Sequence, residues 1–408
     1  MNQRDKIEAL RRQDVTVPAP ESLEIGDEVR LEQIRGPGTT LHAGTRLRGA
    51  ELSVLPGARI GTESPVTLDG CAVGPDVELS GGSFTGAVLL DRVRMGSGAQ
   101  VRAGTLMEEE SNGAHTVGLK QTVLLPYVTL GSLINFCDVL MAGGTSRRDH
   151  SEVGSSFIHF NFTPWGRSGD KATPSLVGDV PRGVMLRSPR IFLGGQGGLV
   201  GPVQIDYNTV LAAGFVYRRD HGPDQLVIGE KLPPMTLPFD PQRYSRVRQK
   251  VARNLTYIGN LVALWQWYDQ VRLPLASADP ARAELYRRGR ESLAGGIRER
   301  VKRLGQIAGY MEDSIRALQR KGGAEDEIRQ QRQFAGSWPA LEQALLGFEK
   351  LTGSSAAEQQ TLRQGLERAP ARTGDYLAIV KGLDEASVAA GSAWLASIVS
   401  QVEQLIWP

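Results

Sequence analysis

Imidazole is the side chain best matched to moving a proton near neutral pH, because its ordinary pKa is about 6.5. The chain has five: His42, His115, His150, His159 and His221. His150 lies in Ser146-Arg-Arg-Asp-His-Ser-Glu. Arg147 and Arg148 could hold a phosphate or carboxylate beside it, and the same run also reads as a solvated loop. His159 lies in Phe157-Ile-His-Phe-Asn-Phe. Strand alternation puts Phe157, His159 and Asn161 on one face, with Ile158, Phe160 and Phe162 on the other. His159 and Asn161 are then either a base with an orienting amide or a polar pair hydrogen-bonded at an interface. His115 sits just before Thr116-Val-Gly-Leu-Lys and could line a cleft with Lys120, whereas His42 and His221 read as surface groups. Lys120 and Lys171 are candidate phosphate ligands, acting as point charges. Cys137 has no base near it in sequence and reads as a buried structural thiol. No pair of His or Cys residues has ligand spacing, so no metal is expected.

The elements that must position these groups follow a beat of six. Leu193, Leu199, Ile205 and Leu211 keep it, as do Met95, Val101 and Met107. Period six is neither the helical 3.6 nor the strand period of 2. It fits a solenoid in which each short strand contributes one inward aliphatic and each corner takes a small residue. Gly74, Gly96, Gly131, Gly154 and Gly194 follow such aliphatics and read as corners needing the positive φ that glycine tolerates. The Gly-dense run Gly194-Gly-Gln-Gly-Gly lacks the Lys-Ser/Thr ending of a phosphate loop. Proline-containing runs around residues 17–20 and 231–238 read as linkers.

Beyond the second linker the apolar spacing changes to threes and fours. Val251, Leu255, Ile258, Val262 and Trp265 form one stripe; Ile297, Val301, Leu304, Ala308, Met311, Ile315 and Leu318 form another; Val388, Leu395, Ile398, Val402 and Leu405 form a third. These are amphipathic helices. The expected architecture is a β-solenoid plus α-helices: an N-terminal helix and linker over 1–20, a left-handed parallel β-helix of hexapeptide repeats over 21–232, and an all-α helical bundle over 241–408. Arg287, Arg288, Arg290, Arg298 and Arg300 alternate with Glu291 and Glu299 and read as a solvated helix face. Trp265, Trp267 and Tyr268 read as packing aromatics.

Composition narrows the partners. The 408 residues carry 47 basic and 45 acidic side chains, a net charge of +2, so no long-range attraction to nucleic acid or to an anionic membrane is expected. No apolar run approaches the roughly 18 residues of a membrane span. The charged first 14 residues do not read as a secretory signal. Two cysteines, Cys71 and Cys137, fit a reducing, cytoplasmic setting.

Five segments occur in a telling order: Val153-Gly-Ser-Ser-Phe-Ile-His-Phe-Asn-Phe-Thr-Pro, Lys171-Ala-Thr, Leu176-Val-Gly-Asp, Leu193-Gly-Gly-Gln-Gly-Gly-Leu-Val-Gly-Pro and Val210-Leu-Ala-Ala-Gly. Together they resemble the acetyltransferase half of the bifunctional UDP-N-acetylglucosamine pyrophosphorylase/glucosamine-1-phosphate acetyltransferase family, and bacterial pyrophosphorylase-related proteins. The resemblance covers roughly residues 95–217. It implies a homotrimer with clefts between subunits, acetyl-CoA or another acyl-CoA as co-substrate, and a sugar phosphate or sugar nucleotide as the small-molecule partner. It places the family's Asn-Tyr pair near the acyl donor on Asn161 and Phe162, so the tyrosine hydroxyl is absent. Substrate-side lysines fall on Lys120 and Lys171, and the small residues along the donor's arm on Gly195, Ala212 and Ala213. The family's catalytic histidine falls on Ser132 and a nearby tyrosine on Asn135, and about one hexapeptide around Arg147–Glu152 is inserted. An unaided serine is no general base near neutral pH. With about 20 residues before the solenoid, no pyrophosphorylase half is expected.

The resulting expectation is an acyltransferase-like protein using His150 or His159 as base, Asn161 to orient the reacting groups, and Lys120, Lys171, Arg147 and Arg148 for the anionic substrate. Its alternatives are a non-catalytic sugar-nucleotide-binding or assembly scaffold that has lost the histidine, and a simple carrier of the sugar nucleotide.

Overall fold

The computed structural model describes residues 1–166, 169–229, 233–236, 239–320, 322–354, 356–369 and 375–406. Arg167, a further arginine near Lys171, and position 232, the expected end of the solenoid, lie outside them. The fold is the expected left-handed β-solenoid followed by an all-α domain. Each turn of chain gives one short strand to each of three parallel sheets. Sheet A runs from Thr40–Leu41 to Leu226–Val227 in ten strands, sheet B from Glu24–Ile25 to Val216–Tyr217 in ten, and sheet C from Ser53–Val54 to Gln204–Ile205 in eight. Like stacks on like between coils: Leu47, Leu68, Phe84, Val101, Leu119 and Phe136 form one inward column of sheet B, and all are buried.

Gly61 and Gly178, which also follow inward aliphatics, have the expected positive φ, whereas Gly74, Gly96, Gly131, Gly154 and Gly194 need a different explanation. Gly154 and Gly194 do not have positive φ. A Cβ on Gly154 would lie 2.4 Å from the nitrogen of Gly195, and one on Gly194 would lie 2.3 Å from that of Ala213. These glycines let successive coils approach, while the left-handed corner positions are filled by other glycines, such as Gly98 and Gly214, and by Thr116, Leu133 and Gln196 among others.

Helix α1 (Gln3–Arg11) closes the first coil. Asn2 caps it by accepting from the Asp5 amide, and Lys6 donates to the carbonyls of Ile25 and Gly26 at 2.8 and 3.1 Å. A short turn, α2 (Val180–Gly183), leaves sheet C. The helical domain comprises α3 (Val247–Trp267), which runs through a π-helical turn into α4 (Leu273–Leu275), then α5 (Pro280–Arg320), α6 (Glu325–Leu346), α7 (Ala356–Arg368), α8 (Tyr376–Lys381) and α9 (Glu385–Glu403). Helix α3 packs on α5 and α9, α5 pairs with α6, and α7 pairs with α9. The expected stripes supply the contacts: Leu255, Ile258, Val301, Leu304, Leu395 and Ile398 are all buried.

The helices lie on sheet C. In sheets A and B exposure alternates, as in Arg46–Arg48, whereas in sheet C Ala72–Val73, Val88–Leu89, Leu106–Met107 and Val123–Leu124 are buried on both sides. Parallel strands covered on both faces are apolar at every position. Helix α5 covers the strands at 72, 88 and 106. Its arginines are therefore not all solvated. Arg288 donates to the carbonyls of Glu51 and Gly70 at 2.6 and 2.8 Å, and Arg300 is buried with Asp138. Helical periodicity identified their face but not the coil lying across it.

A fully buried polar clasp joins the two parts. The wider π turn, Tyr268–Arg272, presents both its end residues to the coil. Arg272 donates to the two carboxylate oxygens of Glu109 at 2.6 and 3.0 Å and lies 3.1 Å from Glu108. The Tyr376 ring stacks 3.6 Å from its guanidinium carbon. The Tyr268 hydroxyl donates to Glu108 at 2.8 Å. Burial pushes the Glu108 carboxyl up to about 7 against the pull of Arg272, with the Glu109 charge adding to the rise. Trp267 and Tyr268 pack in this interface as expected, and Trp267 Nε1 donates to the Tyr376 hydroxyl at 2.7 Å. No helix among the described residues is long and apolar enough to cross a membrane.

Candidate ligand site on the open face of sheet B

With sheet C covered, the outer face of sheet B remains open over the middle coils. Register puts Gln100, Gly118, Asn135 and Ile158 in one outward row. In the next row Arg102 lies beside Lys120, which lies beside Cys137. Cys137 is thus half-buried on the outer surface rather than in the core. Neither Arg102 nor Lys120 forms an ion pair among the described residues, and Thr85 and Cys137 flank them on the adjacent strands. Like charges on neighbouring strands repel, so this pair is a ready seat for an anion.

The edge where sheet A turns into sheet B carries a second group. His115 and Ser132 occupy the same corner on successive coils, and His115 Nδ1 lies 2.9 Å from Ser132 Oγ. Ser155 follows, its Oγ accepting from the Ser132 amide at 3.1 Å. Gly195 stacks on Ser155, and Gly194 on the Ala212-Ala213 backbone. Ser132, Gly195, Ala212 and Ala213 thus share one edge, together with the exposed side chains of His115, Leu133 and Gln196.

The opposite edge, between sheets B and C, carries Asn161 and Lys171. Asn161 Nδ2 donates to Asp138 at 3.0 Å, and the Lys171 carbonyl accepts from Arg300 at 3.1 Å. Phe162 is about half exposed here (51%), separated by the width of sheet B from Gly195 and Ala212-Ala213.

His159 is not on the surface. Alternation placed it correctly with Phe157, but that face is the interior: His159 stands opposite Leu199 and is 3% exposed. Both ring nitrogens are engaged, Nδ1 with the Cys137 carbonyl at 2.5 Å and Nε2 with Ser175 Oγ at 2.7 Å. Burial depresses its pKa to about 4, opposed by the bond to the Cys137 carbonyl. A base enclosed this way has no path to a substrate proton.

The inserted segment lies at the third edge, between sheets C and A, away from both groups. Arg147 ties coils together, its Nη1 donating to the carbonyls of Glu110 and Tyr127 and to Thr129 Oγ1 at 3.2, 2.7 and 3.0 Å. His150 Nδ1 is 2.9 Å from the Arg147 carbonyl. Arg148 is exposed. Within one chain, His150, Arg147 and Arg148 therefore do not meet Lys120, Asn135 or Asn161.

Arg102 was missed by sequence reasoning, and His115 was read only as a neighbour of Lys120. Coil length would have found both. Arg102 stands 18 residues before Lys120, and His115 stands 17 before Ser132, one turn of the solenoid in each case.

The chain is similar to the bifunctional protein GlmU of Geotalea uraniireducens, 27% identical over 222 residues, which is 54% of this chain and 42% of that protein. It is also similar to GlmU of Thermotoga petrophila and of Thermotoga maritima, each 25% identical over 232 residues, 55% of this chain and 44% of theirs. The chain spans less than half the length of these curated relatives. No family model matches it.

Proposed function

We propose that the chain is an acyltransferase-like protein that moves an acyl group from acyl-CoA to a phosphorylated or nucleotide-linked sugar bound on sheet B. The observation that carries this reading is that one strand, Gly118–Lys120, has His115 at the corner before it and Lys120 at its end. The five steps from His115 to Lys120 span at most roughly 16 Å, and less here because the corner at Thr116 is left-handed. A sugar extended by a phosphate or diphosphate fits that length, with its anion between Arg102 and Lys120 and its reacting amine or hydroxyl at His115. Similarity to GlmU proteins supports the class of reaction.

In the mechanism, His115 Nδ1–H donates to Ser132 Oγ, which leaves Nε2 free. Nε2 takes the proton of the acceptor as its nitrogen or oxygen attacks the thioester carbonyl. The carbon–sulfur bond then breaks, and the CoA thiolate leaves and takes up the proton from the imidazolium. Ser132 thus orients the base rather than acting as one. Gly195, Ala212 and Ala213 give the donor's arm a surface of small residues. Asn135, exposed beside Gly118, is placed to hydrogen-bond the sugar, and Lys171 stands ready for a second anionic group. Calorimetry tests the reading: acetyl-CoA titrated with glucosamine 1-phosphate or UDP-N-acetylglucosamine should release heat, and Arg102→Ala/Lys120→Ala should weaken the sugar ligand at least tenfold. Silence at millimolar acetyl-CoA would sink it.

A homotrimer fits the same face. Ile158 and Phe160 are 40% and 42% exposed on the outer side of sheet B, and Leu133 is 52% exposed at the corner between sheets A and B. Apolar side chains grouped on an open face favour contact with another subunit. Sedimentation should give a trimer for the wild type and smaller species for Phe160→Asp; a monomeric wild type excludes the arrangement.

One observation favours the non-catalytic alternative. Asn161, the donor-side residue of the resemblance, is committed to Asp138, whose other oxygen is held by Arg300 of the helical domain. A binding protein that uses its helices as an output surface would have such a connection.

A further inference from the structure

We propose that Arg300 is a positioning residue for the sheet B site, through which the helical domain fixes the stretches 161–166 and 169–172 that carry Asn161 and Lys171. The inference rests on the ligand reading above and assigns a role to the helical domain within it.

Arg300 projects from the middle of α5, and its side chain is 3% exposed. Its guanidinium joins two separate pieces of the solenoid and, through one of them, a third. Nη2 is 2.8 Å from Asp138 Oδ1, and Nη1 donates to the Lys171 carbonyl at 3.1 Å. The second Asp138 oxygen accepts from Asn161 Nδ2. One buried cation thus sets the side chain of Asn161 through a carboxylate and the backbone of Lys171 directly. Charge-assisted bonds of this kind are short and directional.

Other contacts from the helices act on the same stretches. Lys250 of α3 pairs with Asp170, which also accepts from Thr163 Oγ1 at 2.7 Å. Asn254 Nδ2 donates to the Ala172 carbonyl at 3.0 Å. The Tyr244 hydroxyl donates to the Trp165 carbonyl at 3.2 Å, and the Gly166 amide donates to the Pro241 carbonyl at 2.7 Å. Over residues 161–166 and 169–172 the coil leaves its repeat, so sheet pairing holds little of these stretches. Side chains from the helical domain supply the missing constraints, and Arg300 is the one that reaches both candidate ligand-contacting residues, Lys171 directly and Asn161 through Asp138. Lys171 keeps its own side chain exposed while its backbone is held, the arrangement required of a group that must meet a ligand at a fixed place.

Two variants separate positioning from bulk stability. Arg300→Met leaves Asp138 buried without its cation and should lower Tm. Asp138→Asn/Arg300→Met removes that charge as well and should recover most of the Tm. Hydrogen exchange followed by mass spectrometry reads amides in 161–166 and 169–172, and calorimetry reads the affinity for acetyl-CoA and for UDP-N-acetylglucosamine. Both variants are expected to exchange these amides at least tenfold faster and to bind at least one probe at least tenfold more weakly, even where Tm is restored. Exchange at the wild-type rate in the double variant would overturn the inference, as would faster exchange with both affinities unchanged. If the wild type binds neither probe, the ligand reading falls by itself, and the exchange rates alone then decide whether Arg300 fixes these stretches.

Discussion

His115→Ala should lower acyl transfer by about 10²–10⁴-fold, the range for losing a positioned proton acceptor, with little change in affinity for the anionic substrate. The reason is spatial. His115 is the only imidazole among the described residues at the His115–Ser132 corner, while His159 is sealed in the coil and His150 is at another edge. Ser132→Ala should cost less, because it removes the partner that orients Nδ1 and leaves the base. Thiol release from acetyl-CoA with glucosamine 1-phosphate or related amino and hydroxy sugar phosphates measures both. Full activity in His115→Ala would end the assignment, and equal loss in His159→Gln with a native fold would point back to the interior histidine.

The buried groups His159 and Glu108 should contribute to the pH dependence of stability with opposite signs. His159 titrates near 4 when folded and near its ordinary 6.5 when unfolded. The unfolded chain binds more protons between those values, so this group's contribution rises with pH from about 4 to 6.5 and is lost on acidification. Glu108 is raised from 4.5 to about 7. Here the folded chain binds more protons, so stability falls as pH rises from about 4.5 to 7. The His159 shift corresponds to roughly 3 kcal/mol, and that of Glu108 has the opposite sign. Between pH 4.5 and 6.5 they oppose each other. His159→Gln should expose a decline in unfolding free energy toward pH 7, and Glu108→Gln a decline toward pH 4. Denaturant melts at several pH values give the slopes; parallel profiles for the wild type and both variants would refute the burial argument.

The solenoid was legible because one inward aliphatic every six residues is what its geometry demands. The same beat, applied strictly, would also have placed His159: Val153 points inward, and six residues later comes His159. Alternation paired it with Asn161 but carries no information on which side is inside. The docking of the helices was legible too, in the adjacent apolar pairs Ala72-Val73, Val88-Leu89, Leu106-Met107 and Val123-Leu124. Reading only the inward member of each pair hid the outer row that the helical domain covers. Arg272 and Arg300 were not legible in the same way. Their carboxylates, Glu109 and Asp138, are more than 160 residues away in sequence, and no local pattern joins them.

Helix α5 is a ruler laid along the coil. Arg288 grips the Gly70 corner and Arg300 the Asp138 corner. Between those corners lie four coil steps, 70 to 86, 103, 121 and 138, about 19 Å at the spacing of neighbouring strands. The twelve helical residues from Arg288 to Arg300 rise about 18 Å. The two repeats are commensurate over this distance, so gaining or losing one coil inside it would pull one arginine off its mark. A free-standing solenoid tolerates changes in repeat number; this stretch has its count fixed by the helix beside it.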